Sequence, residues 1–266
     1  MDISVVIPVY NETEALPELY RALADALDRL PQAAEIIFAD DGSRDGSAAT
    51  LDAFAESDPR VRVLHLSRNY GQTAALMAAI QNSSGDVVIP MDGDGQNDPA
   101  DLPKLLARLG IPGTGGPAFV GGVRVKRKTA GSRRLASRIG NSARNAILKD
   151  NCPDSGCGIK VFWREAYLHL PFFSSMHRFN PALFLMYGHQ VNYHPVNDRP
   201  RLAGQSKYTN FNRALLGVYD MIGIVWLRRR TRVACIAEDT AGEAKPGTDA
   251  SKMNGAIALP SHNVEA

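Results

Sequence analysis

The sequence has few of the features that mark several common protein classes. Its three cysteines, Cys152, Cys157 and Cys235, cannot build a disulfide framework and lack paired metal-ligand spacing, so we expect reduced thiols in a reducing compartment. No window supplies the ~18 uninterrupted apolar residues that a membrane-spanning helix needs. The chain starts with a strand-like run and has no basic leader, so we expect a cytoplasmic location for its body.

Three common catalytic motifs are also missing. The phosphate-binding loop G-x-x-x-x-G-K-[ST] does not occur, and neither does G-x-G-x-x-G after the first strand or the G-x-S-x-G elbow of hydrolases. A P-loop kinase or ATPase and a dinucleotide-binding enzyme are therefore disfavoured. The formal net charge is only +2 and by itself says little about partners. We expect no nucleic-acid partner. A nucleotide, if one binds, must be held through carboxylates and a metal.

The first half of the chain alternates between two kinds of pattern. Apolar and β-branched runs predict strands, and the stretches between them have helical spacing. The predicted strands are 3–9, 35–39, 61–66, 86–90 and 118–123, and the predicted helices are 14–30, 47–55, 73–80 and 101–109. Such alternation implies parallel pairing through right-handed crossovers. We predict an α/β fold, an open and mostly parallel Rossmann-like sheet with helices on both faces.

The second half of the chain is more basic and ends differently. A basic helix over 131–149 and a strand over 158–162 are predicted. We expect one domain over 1–212, an apolar or amphipathic helix with a basic end over 213–230, and a disordered tail over 231–266. The sequence leaves two roles open for this C-terminal helix. It lies at a membrane surface with Trp226 at headgroup depth, or it is buried with a solvated basic end.

Polar clusters follow each of the first four predicted strands. They read NETE, DDGSRDGS, SRNYGQT and DGDGQNDP, in chain order. Ligands of open parallel sheets bind beyond the carboxyl ends of the strands, so we expect the four clusters to share one ligand-binding edge.

The cluster DGDGQNDP offers oxygen ligands on a turning backbone. Asp92, Asp94 and Gln96 stand at alternate positions, and hard oxygen donors suit Mg²⁺ or Mn²⁺ that also bind phosphate oxygens. A solvated acidic turn, in which Asp98 caps a helix starting at Pro99, fits this motif about equally well.

Other charged groups extend the expected site. Asp40 and Asp41 end the second strand, where a carboxylate can accept hydrogen bonds from a ribose or a base, while Ser43 and Asp45 can cap the next helix. The stretch 124–149 is rich in Lys and Arg and contains no acid. This charge distribution predicts one site for a cation and another for an anion.

Five motifs in this order and spacing resemble the family 2 glycosyltransferases. They are VVIPVYNE, ADDGSRDGS, SRNYGQTAAL, MDGDGQNDP and RLAGQSKYT, and the resemblance covers about 1–230. The dolichol-phosphate mannosyltransferase and bacterial polyprenyl-phosphate glycosyltransferase branch is the most similar. The resemblance implies a GT-A fold, a nucleotide-sugar donor, a divalent metal and inversion at the sugar carbon.

The resemblance also implies roles for individual residues. Donor-binding positions are Pro8, Tyr10, Glu12, Asp40, Asp92 and Lys207. Metal ligands are Asp94 and Gln96, with Asp92 contacting the donor or the metal. Positions for the acceptor phosphate are Arg124, Arg133, Ser137, Arg201 and Ser206. The expected catalytic residues are Asp92, Asp94, Arg124, Arg133 and Arg201. The three arginines are included because arginine forks suit a phosphomonoester.

The expected reaction joins a polyprenyl phosphate, dolichyl or undecaprenyl, to a sugar from GDP-mannose or a UDP-sugar. We expect the protein at the inner face of the membrane as a peripheral protein, and a membrane-embedded protein is a candidate partner. One alternative is transfer to a sugar hydroxyl in cell-surface polysaccharide assembly, which needs a general base, and Asp154 is the candidate. Another alternative is a non-catalytic membrane-surface binding module. The chain departs from relatives at DSGCGIK, where they often read SGF-R, and it lacks the QxxRW signature of processive synthases.

Overall fold

The computed structural model describes residues 2–112, 114–125, 142, 144–200 and 210–232. Seven strands form its sheet, and they are β1 (Ile3–Val9), β2 (Ala34–Asp40), β3 (Val61–His65), β4 (Val87–Pro90), β5 (Phe119–Arg124), β6 (Lys160–Trp163) and β7 (Val191–Val196). Its helices are α1 (Leu16–Leu27), α2 (Ser47–Ser57), α3 (Gln72–Gln81), α4 (Leu102–Leu106), α5 (Arg164–Leu168), α6 (Asn180–Met186) and α7 (Asn210–Arg230). A short helical segment also covers 144–148.

The sheet has the order β3-β2-β1-β4-β6-β5-β7. Strands β1, β2, β3 and β4 pair in parallel, and β5 pairs in parallel with β7. Strand β6 lies between β4 and β5 and is antiparallel to both. The prediction of an open, mostly parallel α/β sheet is therefore confirmed. Because β6 is antiparallel to β4, the first residue of β6, Lys160, lies beside the carboxyl end of β4.

Two hydrophobic clusters cover the two faces of the sheet. Alternate residues of β1 separate them, since Val5 and Ile7 belong to one cluster and Val6 to the other. Helices α1, α2 and α4 pack on the first face through buried leucines, and α3, α5 and α6 pack on the second face. Each fully buried Ile, Leu or Phe contributes roughly 1.5–3 kcal/mol of transfer free energy. The helices on both faces agree with the prediction.

The predicted helices begin and end close to the observed ones, with one clear exception. Helix α1 starts at Leu16 with Pro17 in its first turn, where a missing N–H has no cost. The helix predicted over 101–109 is a 3-10 turn, Pro99–Asp101, followed by the five-residue α4. Pro103 lies in the first turn of α4, and the segment ends before 109.

The C-terminal helix α7 begins three residues before the predicted boundary at 213. One face packs on the second cluster through Met221, Ile224 and Leu227. The opposite face is exposed at Tyr219 and Trp226, among others. Among the described residues no helix has the length and apolarity that crossing a membrane requires.

Candidate active site

The loops after the second and third strands are tied together by one buried carboxylate. Asp41 accepts the backbone N–H of Tyr70 at 2.7 Å and that of Gly71 at 2.9 Å. Both oxygens of Asp41 are therefore used for structure, and the side chain is almost fully buried. Charge-assisted bonds of this kind are about twice as strong as neutral ones. Asp41 positions the loop SRNYG and leaves ligand contact to its neighbour Asp40.

The loops after the first and second strands are joined in the same way. The backbone N–H of Asn11 donates to Ser43 Oγ at 2.9 Å, and that of Glu12 donates to Ser47 Oγ at 3.0 Å. In return, the Arg44 N–H donates to Asn11 Oδ1 at 2.7 Å. Asn11 adopts a positive φ of 53°, a conformation that Asn tolerates better than most residues. The backbone that carries Tyr10 and Glu12 is thus fixed before any ligand binds.

A pocket of about 320 Å³ opens between these loops. Its lining includes Tyr10, Asp40, Ser43, Arg68 and Asn69. The sequence predicted Tyr10 and Asp40 as donor-binding residues, and the structure brings both to this pocket. Pro8 lies within β1 and Glu12 in the loop after it. The volume and the polar groups suit the nucleoside part of a ligand.

Asp40 is hydrogen-bonded to His65, a residue that no sequence motif indicated. Its Oδ1 accepts the Ser43 N–H at 2.9 Å, and its Oδ2 lies 3.1 Å from His65 Nδ1. The other ring nitrogen, Nε2, lies 2.9 Å from Asp52 Oδ1. The hydrogen bond to Asp52 and then that to Asp40 raise the pKa of His65. An imidazolium can donate to both carboxylates, whereas a neutral ring can donate to only one.

The paired aspartates after β4 lie at the centre of the edge. Asp92 Oδ1 accepts from Gln72 Nε2 at 2.9 Å, and the Asp92 N–H donates to Asn97 Oδ1 at 2.8 Å. Asp94 is buried, and its Oδ1 accepts the Gln96 N–H at 3.1 Å. The turn is therefore built by its own side chains and by the first residue of α3.

Two glycines let this turn lie against its neighbours. A Cβ at Gly93 would lie 3.1 Å from the carbonyl oxygen of Pro8, so the turn packs tightly on β1. A Cβ at Gly158 would overlap the carboxylate of Asp92. Any other residue at 158 would therefore displace Asp92.

The donor set at this turn fits a divalent cation. Burial raises the pKa of Asp92, and the charge of Asp94 raises it further, while Lys160 and Arg124 oppose the shift. A divalent cation between the two carboxylates would relieve their repulsion. No cluster of three or more His, Cys, Asp or Glu able to hold a metal occurs in the described part of the chain. Mg²⁺ accepts one or two carboxylates and completes its coordination with phosphate and water.

The last residues of the motif have a structural role, as one of the two interpretations predicted. Asp98 Oδ1 accepts the Ala100 N–H at 3.0 Å and so caps the turn that begins at Pro99. The same oxygen lies 2.7 Å from Arg199 Nη2. Asp98 therefore fixes both the start of the 3-10 turn that precedes α4 and the chain that follows β7.

Arg124, an expected clamp for the acceptor phosphate, is already paired. Its Nε donates to Asp154 Oδ2 at 2.7 Å and its Nη2 to Asp154 Oδ1 at 2.8 Å. The two side chains are only 15% and 10% exposed. A bidentate pair with this burial fixes both side chains. Asp154, the candidate general base, is thereby held by a guanidinium.

Five expected residues lie outside the described residues, namely Arg133, Ser137, Arg201, Ser206 and Lys207. Cys235 lies outside them too, whereas Cys152 and Cys157 are free and buried. Gln72, His65, Asn97 and Lys160 lie at the edge but were missed. The motif SRNYGQT did include Gln72, and a lysine inside the apolar strand GIKVF was a visible signal for Lys160.

The protein has an open α/β sheet with paired aspartates after its fourth strand, and a polar pocket of nucleoside size lies beside them. This is the arrangement of the GT-A glycosyltransferases. The sequence profile of glycosyl transferase family 2 matches residues 4–170. The chain belongs to this family, as its motifs predicted.

A relative in Salmonella choleraesuis (strain SC-B67), undecaprenyl-phosphate 4-deoxy-4-formamido-L-arabinose transferase, is 37% identical over 221 residues. The match covers 83% of this chain and 66% of the relative, so the chain spans just under two thirds of that protein.

Two solved structures share the fold. Glucosyl-3-phosphoglycerate synthase from Mycobacterium tuberculosis, in complex with Mn²⁺, UDP-glucose and phosphoglyceric acid, superposes with a TM-score of 0.62 at 17% identity, covering 92% of this chain and 87% of that one. A mannosyltransferase from Pyrobaculum calidifontis in complex with GDP-Man and Mn²⁺ gives 0.59 at 18% identity, covering 87% and 65%. Both neighbours were crystallised with a divalent metal and a nucleotide sugar.

Proposed function

We propose that the protein transfers a sugar from a nucleotide sugar to a polyprenyl phosphate, with inversion and with a divalent metal. Support comes from the family, from the relative named for undecaprenyl phosphate, and from the site. Asp92 and Asp94 would hold Mg²⁺ or Mn²⁺, while Tyr10 and Asp40 contact the nucleoside. The pocket does not distinguish GDP-mannose from a UDP-sugar, and the two structural neighbours carry one of each kind.

The ion pair between Arg124 and Asp154 favours a lipid phosphate over a sugar hydroxyl as the acceptor. A sugar hydroxyl must lose a proton to a base during transfer, and Asp154 is the candidate base. A carboxylate held by two guanidinium N–H groups is a poor proton acceptor, because protonation would break both bonds. A phosphate monoester has a second pKa near ~6 and is largely dianionic at neutral pH. A phosphate acceptor therefore needs no base, which fits this site.

The reaction forms one bond and breaks one. An oxygen of the acceptor phosphate bonds to the anomeric carbon as the bond from that carbon to the donor diphosphate breaks, and the electron pair leaves with the diphosphate. The metal, when bound, supplies positive charge to this leaving group. Gln72 and Asn97 hold Asp92 in place through its carboxylate and its backbone N–H. The remaining task of the protein is to bring two anions together, which pre-positioned cations favour electrostatically.

Arg133, Ser137, Arg201 and Ser206 remain predicted phosphate contacts, and Lys207 and Glu12 remain predicted donor contacts. Their residue types suit anionic ligands or, for Glu12, a hydroxyl group. Gln96 remains a predicted metal ligand, and its backbone already takes part in the turn through Asp94.

The acceptor's lipid chain requires a membrane nearby, and α7 offers a suitable surface. Tyr219, Ile222 and Trp226 are 75%, 65% and 60% exposed and lie about one helical turn apart. The basic end of the helix follows directly, with Arg229 and Arg230 beyond Arg228. We propose that this face lies on the cytoplasmic side of the membrane, with the arginines near anionic headgroups. In this proposal the packed interpretation applies to the face with Met221, Ile224 and Leu227, and the lipid-facing interpretation applies to the opposite face.

A donor and acceptor screen tests the activity. The purified protein is incubated with GDP-mannose or UDP-sugars, with undecaprenyl or dolichyl phosphate, and with Mg²⁺, Mn²⁺ or EDTA. We expect a lipid-linked monosaccharide by mass spectrometry in one donor combination, and none with EDTA. If a nucleotide sugar binds with Mn²⁺ but is consumed only with a sugar hydroxyl acceptor, the polysaccharide alternative holds. If no nucleotide sugar binds at all, the binding-module alternative holds.

Co-sedimentation with vesicles tests the membrane surface. We expect binding to vesicles that contain anionic lipid, and weaker binding after Ile222→Glu and Trp226→Glu, which place charge on the exposed face. Ile111→Glu, which places the same charge at a 70% exposed apolar residue outside α7, is the matched control. Equal binding of the double variant and the wild type would contradict a lipid-facing α7.

A further inference from the structure

Lys160 is a buried cation in an otherwise apolar strand. It is the first residue of β6, whose next residues are Val161 and Phe162, and it is only 8% exposed. Ile159 and Val161 point into the first hydrophobic cluster. Lys160 therefore shares the second face of the sheet with Phe162, because residues two apart in a strand lie on one face.

Lys160 differs from the other buried cations of this region. Arg124 pairs with Asp154, and Arg144 pairs with Asp150 at 2.7 Å. The ammonium group of Lys160 has no hydrogen bond or ion pair with any residue that the structure describes, and its charge reaches Asp92 only at longer range. The internal stretches 126–141 and 201–209 contain no Asp or Glu, and the acidic residues of 233–266 lie outside the described residues.

A buried ammonium without a partner is costly. Removal from water costs several kcal/mol per ion, and only a close opposite charge offsets that penalty. The long-range attraction to Asp92 offsets part of it, until a divalent cation neutralises Asp92 and Asp94. Asp154, which lines the same pocket as Lys160, and Asp150 are already paired with Arg124 and Arg144. An anionic ligand would supply a counter-charge.

A small pocket begins at Lys160 and could admit an oxygen of such a ligand. Ser155, Arg178, Tyr193 and Gly121 also line it. A Cβ at Gly121 would lie 3.1 Å from the Tyr193 ring, so glycine keeps the strand close to its neighbour there. The pocket lies on the β5 and β6 side of Asp92.

The strand order separates this pocket from the nucleoside. The pocket with Tyr10 and Asp40 lies beyond β1 and β2, on one side of β4, and Lys160 lies on β6, on the other side. In the proposed binding mode, the nucleoside of the donor lies over β1 and β2 and its diphosphate reaches Asp92. The donor therefore extends as far as β4. The space over β6 and β5 is therefore left for the second substrate.

We propose that Lys160 binds the phosphate of the acceptor and holds it beside the metal-bound diphosphate. This inference rests on the proposed function and makes it more specific. In this proposal Lys160 on β6 contacts the phosphate, because the guanidinium of Arg124 is occupied by Asp154. Lys160 would then contact substrate directly.

The variants Lys160→Met and Lys160→Arg test this assignment, with Lys104→Met as the matched control. Lys104 is 60% exposed on α4 and pairs only with Asp101. KM for undecaprenyl phosphate is measured at saturating donor, and the affinity for UDP or GDP with Mn²⁺ is measured by calorimetry. We expect Lys160→Met to raise KM for the lipid phosphate by roughly 10- to 100-fold, the loss of one charged hydrogen bond. The nucleotide affinity should stay within about twofold, and Lys160→Arg should recover part of the loss.

Two results would overturn the assignment. Unchanged kinetics in Lys160→Met would show that no substrate needs this cation. A weaker nucleotide–Mn²⁺ affinity with an unchanged KM for the lipid phosphate would show that Lys160 acts only through Asp92.

A binding measurement separates this inference from the proposed function. If the wild type transfers no sugar to any lipid phosphate, the proposed function fails. Farnesyl phosphate binding to the Mn²⁺–nucleotide complex then still tests Lys160. Weaker binding by Lys160→Met than by the wild type supports the anion site, and equal binding contradicts it. The melting temperature of Lys160→Met should equal or exceed that of the wild type, because the substitution removes a buried charge.

Discussion

The two sides of the ligand edge hold their charges in different ways. On the donor side, formed by the loops after β1, β2 and β3, carboxylates accept backbone N–H groups. Asp41 holds Tyr70 and Gly71, and Asp40 holds Ser43. On the acceptor side, formed by β5, β6 and residues 150–160, the described charges face one another, as in the pair of Arg124 with Asp154. Lys160 on that side has no such pair.

This difference indicates which parts of the site are fixed before substrates bind. Bonds from a carboxylate to the backbone define the shape of a loop and cannot be given up without local unfolding. On the acceptor side the pair of Arg124 with Asp154 is already satisfied, whereas the ammonium group of Lys160 has no partner among the described side chains. We therefore expect a preformed donor pocket and an acceptor side whose charges are satisfied fully only with substrate.

The largest expected effect concerns the centre of the edge, where the two sides meet. Asp94→Asn removes a charge from the proposed metal site, and we expect kcat to fall by roughly 10²- to 10³-fold, as for other groups that stabilise developing charge. Nucleotide affinity should also lose its dependence on Mn²⁺. Asp25→Asn on the exposed face of α1 is the control. A Mn²⁺-dependent affinity equal to that of the wild type would exclude Asp94 as a ligand.

The pair of Arg124 and Asp154 tests how the acceptor side is held. Arg124→Met and Asp154→Asn should each destabilise the protein by about 3 kcal/mol, because each leaves a buried charge without its partner. The double variant should lose much less than the sum, which chemical denaturation can measure as a coupling free energy. Additive losses would mean that the two side chains do not depend on each other.

Asp41 provides the corresponding test on the donor side. Asp41→Ala removes the acceptor of two partly buried N–H groups, so we expect a loss of about 1–2 kcal/mol in the free energy of unfolding. Faster hydrogen exchange at Tyr70 and Gly71 should accompany it. Protection of these two amides as strong as in the wild type would contradict the role given to Asp41.

The smallest effect is expected at His65. Its pKa is raised in the folded protein by Asp52 and then Asp40, so its contribution to stability is complete below the unfolded pKa of about 6.5 and is lost as the pH rises through the folded pKa. The side chain is 42% exposed, which limits the effect to below about 1 kcal/mol. The difference in unfolding free energy between wild type and His65→Gln should shrink from pH 6 to pH 8. A difference that grows instead would reverse the sign assigned here.

Much of the fold could be predicted from the sequence, and several residues of the candidate site were selected from its motifs. The strands over 3–9 and 61–66 were predicted almost to the residue, because apolar alternation between polar loops is a local signal. The reversed direction of β6 was not predicted, since a four-residue strand does not indicate its partners. Asp92, Asp94 and Asp40 were selected from motifs, and Asp98 was identified as a cap by one of two interpretations.

The missed features depend on contacts between distant parts of the chain. His65 lies between Asp40 and Asp52 because β2, β3 and α2 pack together, and nothing near His65 in the sequence indicates this. Arg124 and Asp154 are separated by 30 positions and were assigned separate roles, phosphate clamp and base. Lys160 stood in a strand that was read for its apolar residues alone. Its burial is a property of the sheet order, which places β6 between β4 and β5.

The most direct measurement follows the fate of the donor sugar with competing acceptors. The protein, Mn²⁺ and the nucleotide sugar that it binds are mixed with equal concentrations of undecaprenyl phosphate and of oligosaccharide acceptors, and the products are identified by mass spectrometry. We expect the sugar to appear on the lipid phosphate and EDTA to abolish the product. Transfer to a sugar hydroxyl, with none to the lipid phosphate, would contradict the proposed function.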